Sequence, residues 1–509
     1  MMSDTPTDYA FGMIGLGTMG RNLLLNMADH DFAVAGYDKN QKQVDLLGQE
    51  GQDKPVKGFT DPQAFVQSIR TPRAIMMLVP AGAIVDSVIA DMVPLLAPGD
   101  ILIDGGNSHF TDTERRAKDL ESKGLHFFGM GVSGGEEGAR FGPSMMPGGD
   151  AEAYKTMQPV FEAIAAKVDG APCVAYMGPG AAGHFVKMVH NGIEYGLMEL
   201  IAETYGILKN GLGLDNAAIG QVFTKWNEGR LQSFLLDITK DIFAFDAPNT
   251  DHLLLDDIKD EARAKGTGKW TSQAAMDLQA PIPTVDAAVS MRDLSKYKPL
   301  REQLAQQYGP AEHLAGDKDE LLKQLEEAFY FSMIMSYAQG MHMLAKASEE
   351  FKYDLHLASI AKIWRGGCII RSTFLNDIFN AFERDNKLAH LLLDANVQTL
   401  VQGSVGGTRA VVAAAILAGQ ALPAYTASLG YFEAFRTARL PSNLIQAQRD
   451  YFGAHTYELI GKEGVFHTQW TGLRDKVESP AGPAVNQQPA TPPVASTKQS
   501  NEEPTNSHL

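Results

Sequence analysis

The run Gly15-Leu16-Gly17-Thr18-Met19-Gly20 follows a short apolar stretch at residues 10–14 and opens into a segment with helical spacing. No other feature of the chain restricts its fold as tightly. Three glycines so spaced between a strand and a helix require a sharp turn and a helix packed directly back on a sheet. Gly15 permits the turn, Gly17 lets an anion approach the main chain, and Gly20 allows close helix–strand contact. The unpaired N–H groups at the helix start then face that anion. Glycine makes up 49 of the 509 residues, so the motif would mean little without its strand and helix. In that setting it predicts a dinucleotide-binding turn.

The flanking text agrees. Strands are expected at residues 10–14, 32–37, 74–79, 101–103, 126–128 and 173–176, with helical stretches such as 21–29, 84–96 and 112–123 between them. That alternation implies an α/β, Rossmann-like N-terminal domain over residues 1–180, with a mostly parallel sheet. Residues 181–440 read almost entirely as helix, a large all-α second domain. Within it Gly196, Trp226-x-x-Gly229 and Ser233-Phe234-Leu235 have an echo in Gly340, Trp364-x-x-Gly367 and Ser372-Thr373-Phe374-Leu375. A duplicated helical unit explains the echo; its second copy carries Ser336, Tyr337 and Gln339 and reads as scaffold. Residues 441–475 form an aromatic, charged C-terminal segment that suits docking on another subunit. Residues 476–509 are dominated by Pro, Ala, Ser, Thr and Asn and are expected to be a disordered tail.

Charge narrows the partners. A formal net charge of -17 argues against nucleic acid or an anionic membrane, and an anionic substrate would have to meet a local cluster of cations. No run reaches the roughly 18 apolar residues of a membrane span. The two cysteines, Cys173 and Cys368, make no disulfide framework and suit a reducing cytoplasm. No His, Cys, Asp or Glu set has metal-ligand spacing, so metal-free chemistry is expected.

Lys187, His190, Asn191, Glu194 and Tyr195 lie at offsets of 0, 3, 4, 7 and 8. On a helix these five fall on one face, and apolar spacers (Met188, Val189, Ile193, Met198) predict that the helix is buried. A buried amine, imidazole, amide, carboxyl and phenol are costly unless they satisfy one another or a ligand. A plain hydrogen-bonded network between helices is the alternative. The amine and carboxyl stand roughly 10 Å apart along the axis, which suits a base at one carbon of a small substrate and an acid at another. Loops at likely strand ends supply further candidates: Asn107 in Asp104-Gly-Gly-Asn-Ser108, and Ser133, Gly134 and Gly135 with open N–H groups for a carboxylate. Lys265 and Thr267, in Lys265-Gly-Thr-Gly-Lys-Trp270, suit a phosphate, with Arg292, Arg449 and His455 as additional cations. Asp38 lies 18 residues after Gly20, where an acidic side chain accepts from the adenosine ribose 2′-OH. It opposes a 2′-phosphate, which neighbouring Lys39 partly offsets, so the residues favour NAD or dual use over NADP.

These motifs resemble a known family. G-M-I-G-L-G-T-M-G, D-G-G-N-S, G-V-S-G-G-E-E-G-A-R, G-H-F-V-K-M-V-H-N-G-I-E-Y, K-G-T-G-K-W, W-R-G-G-C-I-I-R and L-I-Q-A-Q-R-D-Y-F-G-A-H are similar, in order from about Phe11 to Trp470, to the decarboxylating 6-phosphogluconate dehydrogenases. The resemblance implies oxidation of 6-phosphogluconate to ribulose 5-phosphate and carbon dioxide with NADP, and a homodimer whose C-terminal segments reach the partner's site. It implies Lys187 as general base and Glu194 as general acid. Asn107, Ser133, Gly134, Gly135, His190, Asn191, Tyr195, Lys265, Thr267 and Arg292, with Arg449 and His455 from the neighbouring subunit, would bind substrate, and Asn107 would also touch the cofactor. Two cofactor-side positions depart from the family pattern: Asp38-Lys39-Asn40 replaces Asn-Arg-Thr, and Val79-Pro80-Ala81 lacks a lysine. A rival reading is a different β-hydroxyacid dehydrogenase, such as the 3-hydroxyisobutyrate type, which needs no phosphate-binding cations late in the chain. A catalytically idle dinucleotide-binding protein would have no use for the Lys187/Glu194 pair.

Overall fold

A computed structural model describes residues 8–470 and the short strand Ser479–Pro480. The expected tail otherwise lies outside the described residues. These fall into two compact units, one ending at Phe432 and the other beginning at Glu433.

The first unit opens with a seven-stranded sheet: β1 (Phe11–Ile14), β2 (Val34–Tyr37), β3 (Val56–Phe59), β4 (Ala74–Met77), β5 (Ile101–Asp104), β6 (His126–Ser133) and β7 (Ser144–Gly149). Their order is β3-β2-β1-β4-β5-β6-β7. All pairs are parallel except β6 with β7. Period-2 alternation divides the side chains between two cores. Phe11, Met13, Met76, Ile101 and Ile103 pack on one face with helices Thr18–Asp29 and Ala151–Ile164. Ile14, Ile75, Met77 and Leu102 pack on the other with helices Ala83–Met92 and Phe110–Glu121. Strand order reverses between β1 and β4, so the loops leaving their carboxyl ends bound a crevice.

Two strands of this sheet were not legible. β3, Val-Lys-Gly-Phe, is a short edge strand, and β7 runs Ser-Met-Met-Pro-Gly-Gly, residues that read as a loop. Pro147 is tolerated because β7 is an edge. The strand expected at 173–176 reduces to a single bridge, Val174 to Met145, because β7 takes the place beside β6.

The helical bundle of the same unit has a third core, in which Phe185, Val189, Ile193 and Leu197 meet Ile334, Tyr337, Met341 and Trp364. Its element order repeats. Helices Ala182–Gly206, Asn216–Asn227, Phe234–Ile242 and Pro283–Ser295 are echoed by Lys318–Phe351, Leu357–Trp364, Phe374–Arg384 and Pro423–Phe435. The halves meet at equivalent positions: Ser233 bridges Ser372, and Thr284 Oγ1 lies 3.0 Å from Ser428 Oγ. Ser336, Tyr337 and Gln339 are fully buried; Gln339 Nε2 donates to Thr284 Oγ1.

The second unit contains helix Ser442–Gly453 and the hairpin Tyr457–Leu459/Lys462–His467, with Ser479–Pro480 alongside. Buried Asp450 is its hub, accepting from Thr456 N, His467 Nδ1, Thr468 N and Trp470 Nε1.

Candidate active site

Helix Ala182–Gly206 lies directly on β6 and β7, with glycines where the main chains approach. A Cβ at Gly131 would stand 2.3 Å from Lys187 Cβ, and one at Gly148 would stand 2.2 Å from Gly183 N. This contact brings Lys187 to the crevice end of β6 at Gly131, with His190 beside Ser133.

Lys187, His190, Asn191, Glu194 and Tyr195 do share one face. Lys187 Nζ lies 3.4 Å from His190 Nδ1, which is 3.0 Å from Asn191 Oδ1 and 3.9 Å from Glu194 Oε2. His190 Nε2 lies 3.2 Å from Ser133 Oγ. An amide oxygen only accepts, so Nδ1 donates to Asn191 and Nε2 accepts from the Ser133 hydroxyl. Trp364 packs edge-on against the imidazole at 5.6 Å. Lys187 is 6% exposed and His190 0%, while Glu194 is partly buried. Burial drives the three groups towards their neutral forms. It lowers the pKa of Lys187 against the opposing pull of Glu194 and Cys368, and raises that of Glu194 against Lys187 and Arg292. His190 is held well below its ordinary value by burial and then by Lys187.

At the far end of this face Arg292, from helix Pro283–Ser295, lies over the Tyr195 ring at 3.4 Å and also reaches Met198 Sδ at 3.5 Å. Met198 is exposed rather than a core spacer. Thr267 starts helix Thr267–Asp277 and is buried. A Cβ on Gly268 would strike the Tyr195 ring at 2.4 Å, so the turn seats on the phenol. Asn107, Thr267, Lys187 and Asn191 border one cleft. Lys265 is exposed, two residues before Thr267. Gly134 and Gly135 carry positive φ at the start of helix Gly135–Phe141, and Gly134 abuts Gly367 O. Arg449 and His455 belong to the second unit, where both are exposed; Arg449 Nη1 donates to Gln446 Oε1. Sequence reading passed over Trp364 and Cys368, which the second copy of the repeat delivers beside His190 and Lys187. Their signal was the Trp-Arg-Gly-Gly-Cys run, read as an echo of the first copy and as a family motif but not as part of the site.

The sequence family described as "NAD binding domain of 6-phosphogluconate dehydrogenase" matches residues 10–178, and "6-phosphogluconate dehydrogenase, C-terminal domain" matches residues 183–470. The chain belongs to the 6-phosphogluconate dehydrogenase family. A Lactococcus lactis protein named "6-phosphogluconate dehydrogenase, decarboxylating" is 50% identical over 463 residues, covering 90% of this chain and 98% of that one. A Bacillus subtilis protein named "6-phosphogluconate dehydrogenase, NADP(+)-dependent, decarboxylating" is 48% identical over 461 residues, with coverage of 90% and 98%. The solved Plasmodium falciparum 6-phosphogluconate dehydrogenase, described in apo form and in complex with NADP+ and with 6-phosphogluconate, superposes with a TM-score of 0.88. It is 41% identical and covers 91% of this chain and 100% of its own.

The residues present fit the dinucleotide that this family's first domain is described as binding. Gly15 has φ +92, Gly17 leaves open space where a Cβ would stand, and a Cβ on Gly20 would fall 1.9 Å from Gly15 O. No side chain caps the helix at Gly17, so the N–H groups of Thr18 and Met19 are available. Val79 touches the turn at Gly15; Pro80 and Ala81 continue outward and are exposed. The Asp38 carboxylate accepts from Leu16 N and Asn40 N, both at 2.8 Å, tying β2 to the turn. Lys39 pairs with Asp91 at 3.0 Å, and Asn40 caps the following helix. Among the described residues no group of three or more His, Cys, Asp or Glu could hold a metal ion, and no single helix is long and apolar enough to cross a membrane.

Proposed function

We propose that Lys187 and Glu194 are the base and the acid of an oxidative decarboxylation. The chain is a 6-phosphogluconate dehydrogenase that converts 6-phosphogluconate to ribulose 5-phosphate and carbon dioxide with NADP or NAD. The observation that carries the assignment is an amine and a carboxyl on one helix face, bridged by His190 and each pushed by burial towards its neutral form. When bound, the dinucleotide supplies the oxidant, taking a hydride from C3 of the sugar acid. Lys187, uncharged, accepts the C3 hydroxyl proton. The resulting β-keto acid breaks its C1–C2 bond because the C3 carbonyl accepts the electron pair, and protonated Lys187 returns its proton to that oxygen. Glu194 protonates the former C2 of the enediol while Lys187 takes the hydroxyl proton from the adjacent carbon. Lys187 thus ends charged and Glu194 ionised, and one proton must pass back before the next turnover.

Ser133, Gly134 and Gly135 receive the carboxylate; His190, Asn191 and Asn107 hold the hydroxyls; Tyr195, Lys265, Thr267 and Arg292 receive the phosphate. Arg449 and His455 complete the site from a second copy in a homodimer, which the resemblance and the exposure of both side chains support. The isolated cysteines suit action in the cytoplasm. The test is turnover of 6-phosphogluconate with NADP and with NAD, read as reduced nicotinamide, for the wild type and Lys187→Met. Wild-type turnover that survives in Lys187→Met ends the proposal; loss of about a thousandfold or more is expected.

A further inference from the structure

One turn before Lys187, His184 is buried at 2% exposure. Its ring fills a slot that a glycine keeps open: a Cβ at Gly129 would stand 2.5 Å from Nδ1. Nδ1 lies 2.6 Å from Thr113 Oγ1, whose other neighbour, His109 O, is at 3.3 Å. The shorter contact takes the hydroxyl hydrogen, so Nδ1 accepts and Nε2 carries the ring hydrogen. Nε2 is sealed from solvent without a well-formed hydrogen bond. Buried polar atoms are almost always paired, and one facing a reaction cleft needs a reason. The cleft it borders is shared with Asn107, Ser108, Lys187 and Asn191. Sealed beneath that cleft, the ring acts on neighbouring protein rather than on a sugar acid. The main chain at Asp104 and Gly106 also reaches it. The loop there is stiff at its base: Asp104 accepts from Gly106 N, Ser108 Oγ and buried Arg116 Nη1. Burial holds the ring neutral at ordinary pH, which preserves its tautomer.

We propose that His184 is a positioning residue: held by Thr113 on one side and set against the 104–108 loop on the other, it fixes Asn107 relative to Lys187. The idea rests on the roles given to those two residues above. A group aimed by a rigid neighbour keeps its reactive geometry, and small displacements cost rate steeply.

The test compares His184→Gln, whose amide nitrogen reaches the place of Nε2, with His184→Asn, which stops short of it. His184→Asn is expected to lose about tenfold in kcat, and His184→Gln to recover most of that. In a double-mutant cycle with Asn107→Ala, the second substitution is expected to cost much less in the His184→Asn background than in the wild type. The same non-additivity is expected in 6-phosphogluconate binding to the cofactor-free protein, measured by calorimetry. Additive effects, or unchanged kcat in His184→Asn, overturn the proposal. Should the His184 variants not fold, Thr113→Val leaves the ring in place but frees its tautomer; a fall in kcat supports the proposal and wild-type kcat overturns it. Asn107→Ala and Lys187→Met alone report on the underlying assignment. If both keep full activity that assignment fails, whereas their loss beside an additive cycle removes only the role of His184.

Discussion

Burial pushes Lys187 and Glu194 each towards its neutral form, the form that the proposed reaction consumes. Each group lowers the penalty of the other's charge, so altering one shifts its neighbour. Glu194→Gln removes the carboxyl that pulls the Lys187 pKa up, so that pKa falls further. Activity needs the neutral amine, so the acid limb of the kcat/KM profile moves to lower pH, and the alkaline limb that reports ionisation of Glu194 disappears. The general-acid contribution sets the loss in kcat at about a hundredfold or more. A pH profile whose acid limb moves upward would falsify the coupling. Stability runs the opposite way. A buried amine with a depressed pKa costs stability as pH falls below the ordinary lysine value, because the unfolded chain binds a proton that the fold refuses. Lys187→Met is therefore expected to melt higher than the wild type at neutral pH while losing turnover. Asp38 makes a third case. Its carboxylate opposes a 2′-phosphate while accepting from Leu16 N and Asn40 N; Asp38→Asn keeps one acceptor, enough for the bond to Leu16 N, and should raise the NADP-to-NAD ratio of kcat/KM by about tenfold.

Among the elements, the glycine turn and the site helix were readable because their signals are local: a few residues decide the backbone, and a 3.6-residue period decides the face. β7 was not, since its Pro and Gly gain strand geometry only from β6 alongside. Trp364 and Cys368 were invisible as site residues because a distant helix of the second repeat brings them in. Glu203 shows the same long reach. From helix Ala182–Gly206 it accepts from Ala424 N and Tyr425 N, at 2.7 and 3.1 Å, and so caps Pro423–Phe435. Burial raises its pKa to about 8, against those two N–H groups. The fold therefore holds this proton more tightly than the unfolded chain does. Its stabilising contribution is complete below the ordinary glutamate range and drains as pH rises through about 8. Glu203→Gln, which needs no proton, should gain on the wild type in melting temperature from pH 5 to about 8 and hold a constant lead above it. A difference independent of pH would show that the carboxyl is not titrating where it stands.

At the scale of the whole molecule, a chain of net charge -17 must draw an anionic substrate into one place, and the cations proposed for that task come from separate parts of the sequence. Lys265 and Arg292 belong to the first unit, with Lys187; Arg449 and His455 belong to the second. If a second copy supplies the latter pair, each site in a symmetric dimer is built from two chains, and two inactive variants can repair each other. Lys187→Met spoils the site on its own chain, whereas Arg449→Ala spoils the site on its partner. In a hybrid of the two, both defects fall on one site and the other is whole. Co-expressing the variants with different affinity tags at equal levels should give about half hybrid dimers with one working site each, hence about a quarter of wild-type turnover. Purified through both tags in succession, the hybrid should show about half. If each chain instead used its own Arg449, every site in the hybrid would carry one defect, and double purification would leave activity at the level of the parents.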